Sequence, residues 1–227
     1  MPLENLGPWA QLRAGRLGRR LPQLVLGLVL YGVSIALMVR GRLGLAPWDV
    51  FHSGLAGRLP ISFGTAVILT SAGVLLLWIP LRQLPGLGTL LNAVVIGLVA
   101  DRTLALVAAP DAVPARIGLL VGGVVLNGLA TALYIGAQFG PGPRDGLMTG
   151  LVRRTGRSLR LVRTGIEATV LVTGWLLGGG LGFGTLLYAL AIGPLIQLFL
   201  PWLVVDLGAA RRPVGAEGRG SSPSSRD

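Results

Sequence analysis

Cysteine and lysine are absent from this chain of 227 residues, and histidine occurs once. The missing cysteine excludes a disulfide scaffold and thiolate sites for zinc or iron–sulfur clusters. One histidine excludes a two- or three-histidine metal site within one subunit, so no metal and no cofactor is expected. Charge is scarce as well. Asp, Glu, Lys and Arg make up 13% of the residues, against roughly 25% in a soluble domain. So few charges cannot easily cover a soluble surface.

What is present is apolar and of one sign. Apolar residues reach 52% and the formal net charge is +11, all 20 basic residues being Arg. Mean hydropathy is +0.72 and the pI about 11.7. Such apolar content excludes intrinsic disorder for the bulk of the chain. A nucleic-acid binder would also be basic, but it would carry its charge on a soluble face with few long apolar runs.

The runs decide the matter. A helix needs about 20 apolar residues to span the hydrocarbon core. Leu21–Val39, Phe63–Leu81, Ile117–Ala137 and Phe183–Val205 carry no charge. Leu87–Ala109 is interrupted by Asp101 and Arg102, and Leu161–Leu181 by Arg163 and Glu167. Six transmembrane helices are expected. The first run follows Arg13, Arg16, Arg19 and Arg20, but it is too long for a signal-peptide core and lacks a small-residue cleavage site. With a cytoplasmic N-terminus, six spans put fifteen of the 20 Arg on the cytoplasmic side, as the positive-inside rule requires. Both termini are then cytoplasmic.

Sliding the chain by 96 residues aligns Arg20–Leu104 with Arg116–Leu200 without a gap, and 29 of the 85 positions are identical. The matches are ordered rather than compositional. Gly44, Pro47, Asp49 and Gly54 fall on Gly140, Pro143, Asp145 and Gly150, and Gly86-x-Gly-Thr-Leu-Leu falls on Gly182-x-Gly-Thr-Leu-Leu. Three spans per copy is an odd number, so the second copy enters from the opposite side. The expected fold is an all-α membrane protein of two inverted three-helix repeats. Its parts are a basic N-terminal segment (1–19), repeat one (20–104), a linker (105–115), repeat two (116–205) and a disordered tail (206–227) rich in Gly, Ser, Pro and Arg.

Between the first two spans of each repeat lies an apolar segment too short to cross. Residues 44–54 and 140–150 each predict a short helix, with Pro47 or Pro143 in its first turn and Asp49 or Asp145 just after. Proline there loses no needed N–H, and a carboxylate complements the dipole. Two readings stand. Either both helices are re-entrant and their polar ends line a substrate or ion path, or both lie flat at the interfaces and the aspartates cap them. His52 shares a helical face with Asp49, which permits a proton relay, but Met148 stands in the second copy.

Ionisable residues within spans are functional candidates. Glu167 lies four residues after Arg163, so the two can pair on one face, whether as a site or as a means of lowering the cost of burying both charges. The path candidates are therefore Asp49, Asp145, Glu167, Arg163 and His52. The short-helix motif is Gly44, Pro47, Gly54, Gly140, Pro143 and Gly150. Asp101 and Arg102 would mark an early end of the third span. Asn92, Asn127 and Gln197 suit interhelical hydrogen bonding, and Gly118-x-x-x-Gly122 and Gly174-x-x-x-Gly178 suit close helix packing. No hydrolase, metalloprotease or phosphate-loop pattern occurs, so the protein is not expected to be an enzyme.

Gly44-Leu-Ala-Pro-Trp-Asp-Val-Phe-His, Pro80-Leu-Arg-Gln-Leu-Pro-Gly-Leu-Gly-Thr89, Gly140-Pro-Gly-Pro-Arg-Asp-Gly-Leu-Met-Thr-Gly150, Thr155-Gly-Arg-Ser158 and Arg163-Thr-Gly-Ile-Glu167 carry a likeness. With these stretches the chain resembles the YczE/YyaS/YitT family of bacterial integral membrane proteins, nearest the YczE type, over about residues 20–205. The soluble C-terminal domain of the YitT type is not expected here. The resemblance implies a multi-pass protein of the bacterial cytoplasmic (inner) membrane and brings no biochemical activity with it. A small secondary transporter or channel is the leading expectation, and a membrane scaffold or accessory subunit for a biosynthetic or secretory partner is the alternative. The expected partners are the lipid bilayer, a small-molecule or ion substrate, and a second copy or a membrane partner, with nucleic acid excluded.

Overall fold

A computed structural model describes residues 8–207, and the described residues form helices α1 (Pro8–Arg13), α2 (Leu17–Gly41), α3 (Pro47–Arg58), α4 (Phe63–Leu81), α5 (Leu87–Leu106), α6 (Val113–Gly136), α7 (Pro143–Thr155), α8 (Leu159–Leu176) and α9 (Phe183–Leu203). Five of them, α2, α4, α5, α6 and α9, are long and apolar enough to cross a membrane. The sixth expected span falls on α8, 18 residues in which Arg160, Arg163 and Glu167 keep it outside that group.

Several boundaries move. α5 runs on to Leu106, so Asp101 and Arg102 do not end it. Asp101 instead serves the neighbouring helix: its Oδ1 accepts from Gly64 N at 2.7 Å, and its Oδ2 accepts from Ser62 Oγ. Free N–H groups of the first turn of α4 thus find a carboxylate on α5. α6 begins at Val113, which shortens the expected linker, and α1 occupies part of the N-terminal segment. Of the expected tail, only Asp206 and Leu207 lie within the described residues, and Leu207 is buried.

The core is an antiparallel pair, α2 with α6. Their most apolar windows are 50% and 56% buried, against 17% for α9. Leu24, Leu28, Ile35, Met38, Leu120 and Val124 fill the seam. Guanidinium groups clamp both ends of the pair. Arg20, fully buried at the start of α2, donates from Nε to Ala137 O (2.9 Å) and from Nη2 to Gln138 O (2.8 Å). It also donates from Nη1 to Gln11 O at 2.7 Å and stands 4.2 Å over the Phe139 ring. Arg116, at the start of α6, donates to Gly41 O (3.0 Å) and Arg42 O (2.9 Å) at the end of α2. Arg20 and Arg116 are the first aligned pair of the repeat, and their acceptors are aligned as well. Each cation meets orphan carbonyls at a helix C-terminus, where charge and dipole agree.

The remaining helices pack in equivalent pairs. α2 packs on α5 and α6 on α9, while α3 packs on α8 and α7 on α4, so each short helix docks on the other repeat. One equivalence fails, because α4 packs on α5 while α8 has no comparable face on α9. Large apolar side chains on the rim stand exposed, among them Leu90, Leu98, Phe183, Leu190, Leu198 and Trp202, as expected of surfaces that meet lipid.

Candidate functional site

The two short helices are aimed by glycine turns. Gly44 and Gly140 have φ of +120° and +98°, a region disfavoured for residues with a Cβ. Each turn lies against the start of a helix in the other repeat. Gly184 N donates to Leu43 O (2.7 Å) and Gly88 N to Phe139 O (2.9 Å). A Cβ on Gly44 would stand 2.8 Å from Thr185 N, and one on Gly88 would stand 2.8 Å from Phe139 O. The two threonines complete the join, Thr185 Oγ1 accepting from Leu45 N (3.2 Å) and Thr89 Oγ1 donating to Pro141 O (2.7 Å). Pro47 and Pro143 then start α3 and α7 as expected. Trp78, nearly fully buried, fixes the second start by donating from Nε1 to Pro143 O at 3.0 Å.

So aimed, the first turns of α3 and α7 meet. The Arg144 guanidinium lies 4.9 Å over the Trp48 ring, and its Nη2 stands 3.9 Å from Asp49 Oδ1. Trp48 and Arg144 are equivalent positions 96 residues apart, so the contact falls where the two repeats face each other. Between the starts lies a cavity of about 290 Å³. Its wall contains equivalent pairs: Pro47 with Pro143, Trp48 with Arg144, Val67 with Arg163, Ser71 with Glu167, Asn92 with Tyr188 and Ile96 with Ile192. In these pairs the second repeat contributes the charge.

The polar groups of the wall are mostly engaged. Tyr134 Oη donates to Asp145 Oδ2 (2.8 Å), and Arg163 Nε donates to Glu167 Oε1 (2.8 Å). Tyr188 Oη donates to Asn127 Oδ1 (3.1 Å), and Asn127 Nδ2 donates to Ser34 Oγ (2.8 Å). Tyr31 meets Tyr134 edge-on with ring centroids 6.1 Å apart. Trp48 Nε1 is buried without a hydrogen-bond partner, so an N–H donor at this wall is unused. Two cations, two anions and two helix N-termini border the cavity, a setting that can hold a small polar or zwitterionic solute or an ion. Among the described residues no group of three or more His, Asp or Glu could hold a metal.

Of the expected path residues, Asp145, Glu167 and Arg163 line the cavity. Asp49 and His52 do not. Asp49 is the next residue round α3 from Trp48, turned by about 100°, and it is buried beside Arg144, which lines the wall. His52 is fully buried, its Nδ1 3.2 Å from Asp49 Oδ1 and its ring 6.0 Å from that of Phe63. Gly54 and Gly150 serve packing. A Cβ on Gly54 would come within 2.5 Å of Gly174 O on α8, and one on Gly150 would stand 3.1 Å from Leu81 Cδ1 on α4. Trp48 and the three tyrosines were not singled out by the sequence, which offered Arg144 only as a partner for the adjacent Asp145. The usable signal for Arg144 and Trp48 was their alignment with each other inside the motif.

Comparison with known proteins gives a consistent set. The family model described as "Family of unknown function (DUF6198)" matches residues 18–201. A Haemophilus influenzae protein described as an uncharacterized protein is 41% identical over 177 residues, 78% of this chain and 81% of its own length. The uncharacterized membrane protein YczE of Bacillus subtilis is 34% identical over 190 residues, 82% of this chain and 88% of its own. The uncharacterized protein YyaS of the same bacterium is 29% identical over 180 residues, 78% and 90% of the two chains. No solved structure matches.

Proposed function

This chain belongs to the YczE/YyaS-like family described as "Family of unknown function (DUF6198)", whose relative YczE is described as a membrane protein, and on that premise we propose that it carries a small polar solute or ion across the bacterial cytoplasmic membrane. The carrier is built as six spans in two inverted repeats, and its path runs through the cavity where the first turns of α3 and α7 meet. It is a transporter or channel rather than an enzyme, with both termini cytoplasmic.

That meeting of two half-length helices at one polar cavity, walled by equivalent residues of both repeats, is the observation that carries the reading. Broken helices at membrane depth are tolerated where they border protein or a water-filled cavity, and inverted repeats bind substrate at their interface. The contacts at the helix ends support the topology. Arg20 with Ala137 and Arg154 with Pro80 join ends assigned to the cytoplasm. Arg116 with Gly41, Arg40 with Leu104 and Arg58 with Leu177 join ends assigned to the outside. α8 reaches from one set to the other, so its charges enter the membrane together, facing the cavity as an ion pair.

The test is uptake into sealed vesicles from a panel of amino acids, organic cations, organic anions and inorganic ions. At least one solute is expected to accumulate in a protein-dependent manner. Glu167→Gln, which leaves Arg163 without its anion inside the path, is expected to lower the rate at least tenfold or to invert the charge preference. No uptake across the panel, with Glu167→Gln indistinguishable in cells, would sink the transport reading.

A further inference from the structure

A second recess lies outside the polar cavity and is not used by the transport reading. α4 and α8 do not pack on each other, and an open groove of about 840 Å³ separates them. Phe51 and Leu55 of α3 and Leu147 and Leu151 of α7 line it between the two walls. The lining is mostly apolar, with Thr70 on α4 and Thr169 on α8 among it, and Thr155 and Arg157 border it at the α7–α8 connection. Gly73 on α4 and Gly165 on α8 face open space, since a Cβ added at either would meet nothing within 4 Å. An apolar trough between membrane helices is filled from the bilayer, so its occupant is to be sought among lipids.

Charge narrows the occupant further. From residue 146 to residue 166 the chain carries Arg153, Arg154, Arg157, Arg160 and Arg163 and no acidic residue. Arg153, Arg154, Arg157 and Arg160 are exposed at the α7–α8 connection, which is the basic end of the groove. Basic pockets between membrane helices hold anionic headgroups, each nearby Arg adding to the attraction.

We propose that the groove between α4 and α8 is a binding site for one anionic phospholipid, its acyl chain lying along Phe51, Leu55, Leu147 and Leu151 and its phosphate held by Arg157. The groove is distinct from the polar cavity, although Trp48 borders both.

Native mass spectrometry of the detergent-purified protein, incubated with equal amounts of phosphatidylglycerol and phosphatidylcholine, reads the site directly. One retained phosphatidylglycerol per monomer is expected, with phosphatidylcholine disfavoured and the preference falling as salt is raised. Arg157→Gln is expected to weaken phosphatidylglycerol retention about five-fold without altering the monodisperse elution of the protein. Gly165→Trp fills the groove and is expected to abolish retention of both lipids. Equal retention of the two lipids, retention unchanged in both variants, or a dimer in which a second copy covers the groove would each overturn the proposal.

Discussion

At the scale of single residues, the arginines divide by what they touch. Arg20 counts toward the orientation bias in the sequence, but in the fold it is fully buried and spends its guanidinium on carbonyls at the end of α6 and in the α1 segment. Removing it orphans buried acceptors, each costing about 1–3 kcal/mol. Arg20→Ala is therefore expected to lower stability by about 3 kcal/mol or more, and Arg116→Ala, half-exposed and with two acceptors, by clearly less. Thermal unfolding in detergent measures both, and Arg20→Lys should not restore stability because an ammonium lacks the planar fork. An Arg20→Ala protein as stable as the parent would remove the clamp from the account. The signal for this role was present in the alignment, where Arg20 faces Arg116, but it could not be separated from positive-inside charge until the acceptors were placed. Glu167 behaves in the opposite way: its pairing with Arg163 was legible from spacing alone, and the fold adds that the pair faces a cavity.

The short helices illustrate what an element owes to its ends. Composition and length fixed α3 and α7 as helices too short to span, and proline fixed where they start. The sequence left open whether they lie flat or turn inward, because that choice rests on what their preceding turns dock against. Leu43 O and Phe139 O accept from glycine N–H groups of α9 and α5, which lie 141 and 51 residues away in the chain. No local pattern encodes such a join. Gly44→Ala and Gly140→Ala combine a disfavoured φ with a crowded Cβ at Gly44, so each is expected to cost about 1–3 kcal/mol and to slacken the cavity. Gly73→Ala meets open space in a helix and serves as the matched control, expected to leave stability equal to or slightly above the parent. Thermal unfolding of the three variants decides it, and a Gly44→Ala protein no less stable than Gly73→Ala would refute the docking argument.

For the molecule as a whole, the six-span topology turns on α8. The absence of cysteine makes this cleanly measurable, since a single introduced cysteine has no background. Arg157→Cys and Leu181→Cys flank α8. With a membrane-impermeant maleimide on intact cells, Leu181→Cys is expected to label and Arg157→Cys to label only after lysis, as Trp9→Cys does. Labelling of both from one side would make α8 an interfacial helix and leave five crossings.

Helical class, membrane residence and duplication follow from the sequence by itself, because each is set by the one-dimensional order of apolar, charged and repeated residues. Length against bilayer thickness marks five helices as able to cross, and self-alignment reveals the repeated motifs. The cavity, the groove and the sorting of charges between structural and cavity-lining roles depend on the tertiary structure. Each joins residues from both repeats: Trp48 to Arg144, Arg20 to Ala137, α3 to α8. Contact across such separations is a property of packing, and packing is decided by the geometry of backbone approach at a few glycine turns. The puzzle of a chain poor in charge yet strongly basic thereby resolves into three uses of arginine. Among the described residues, some clamp helix ends, some face the cavity, and the α7–α8 cluster borders the groove.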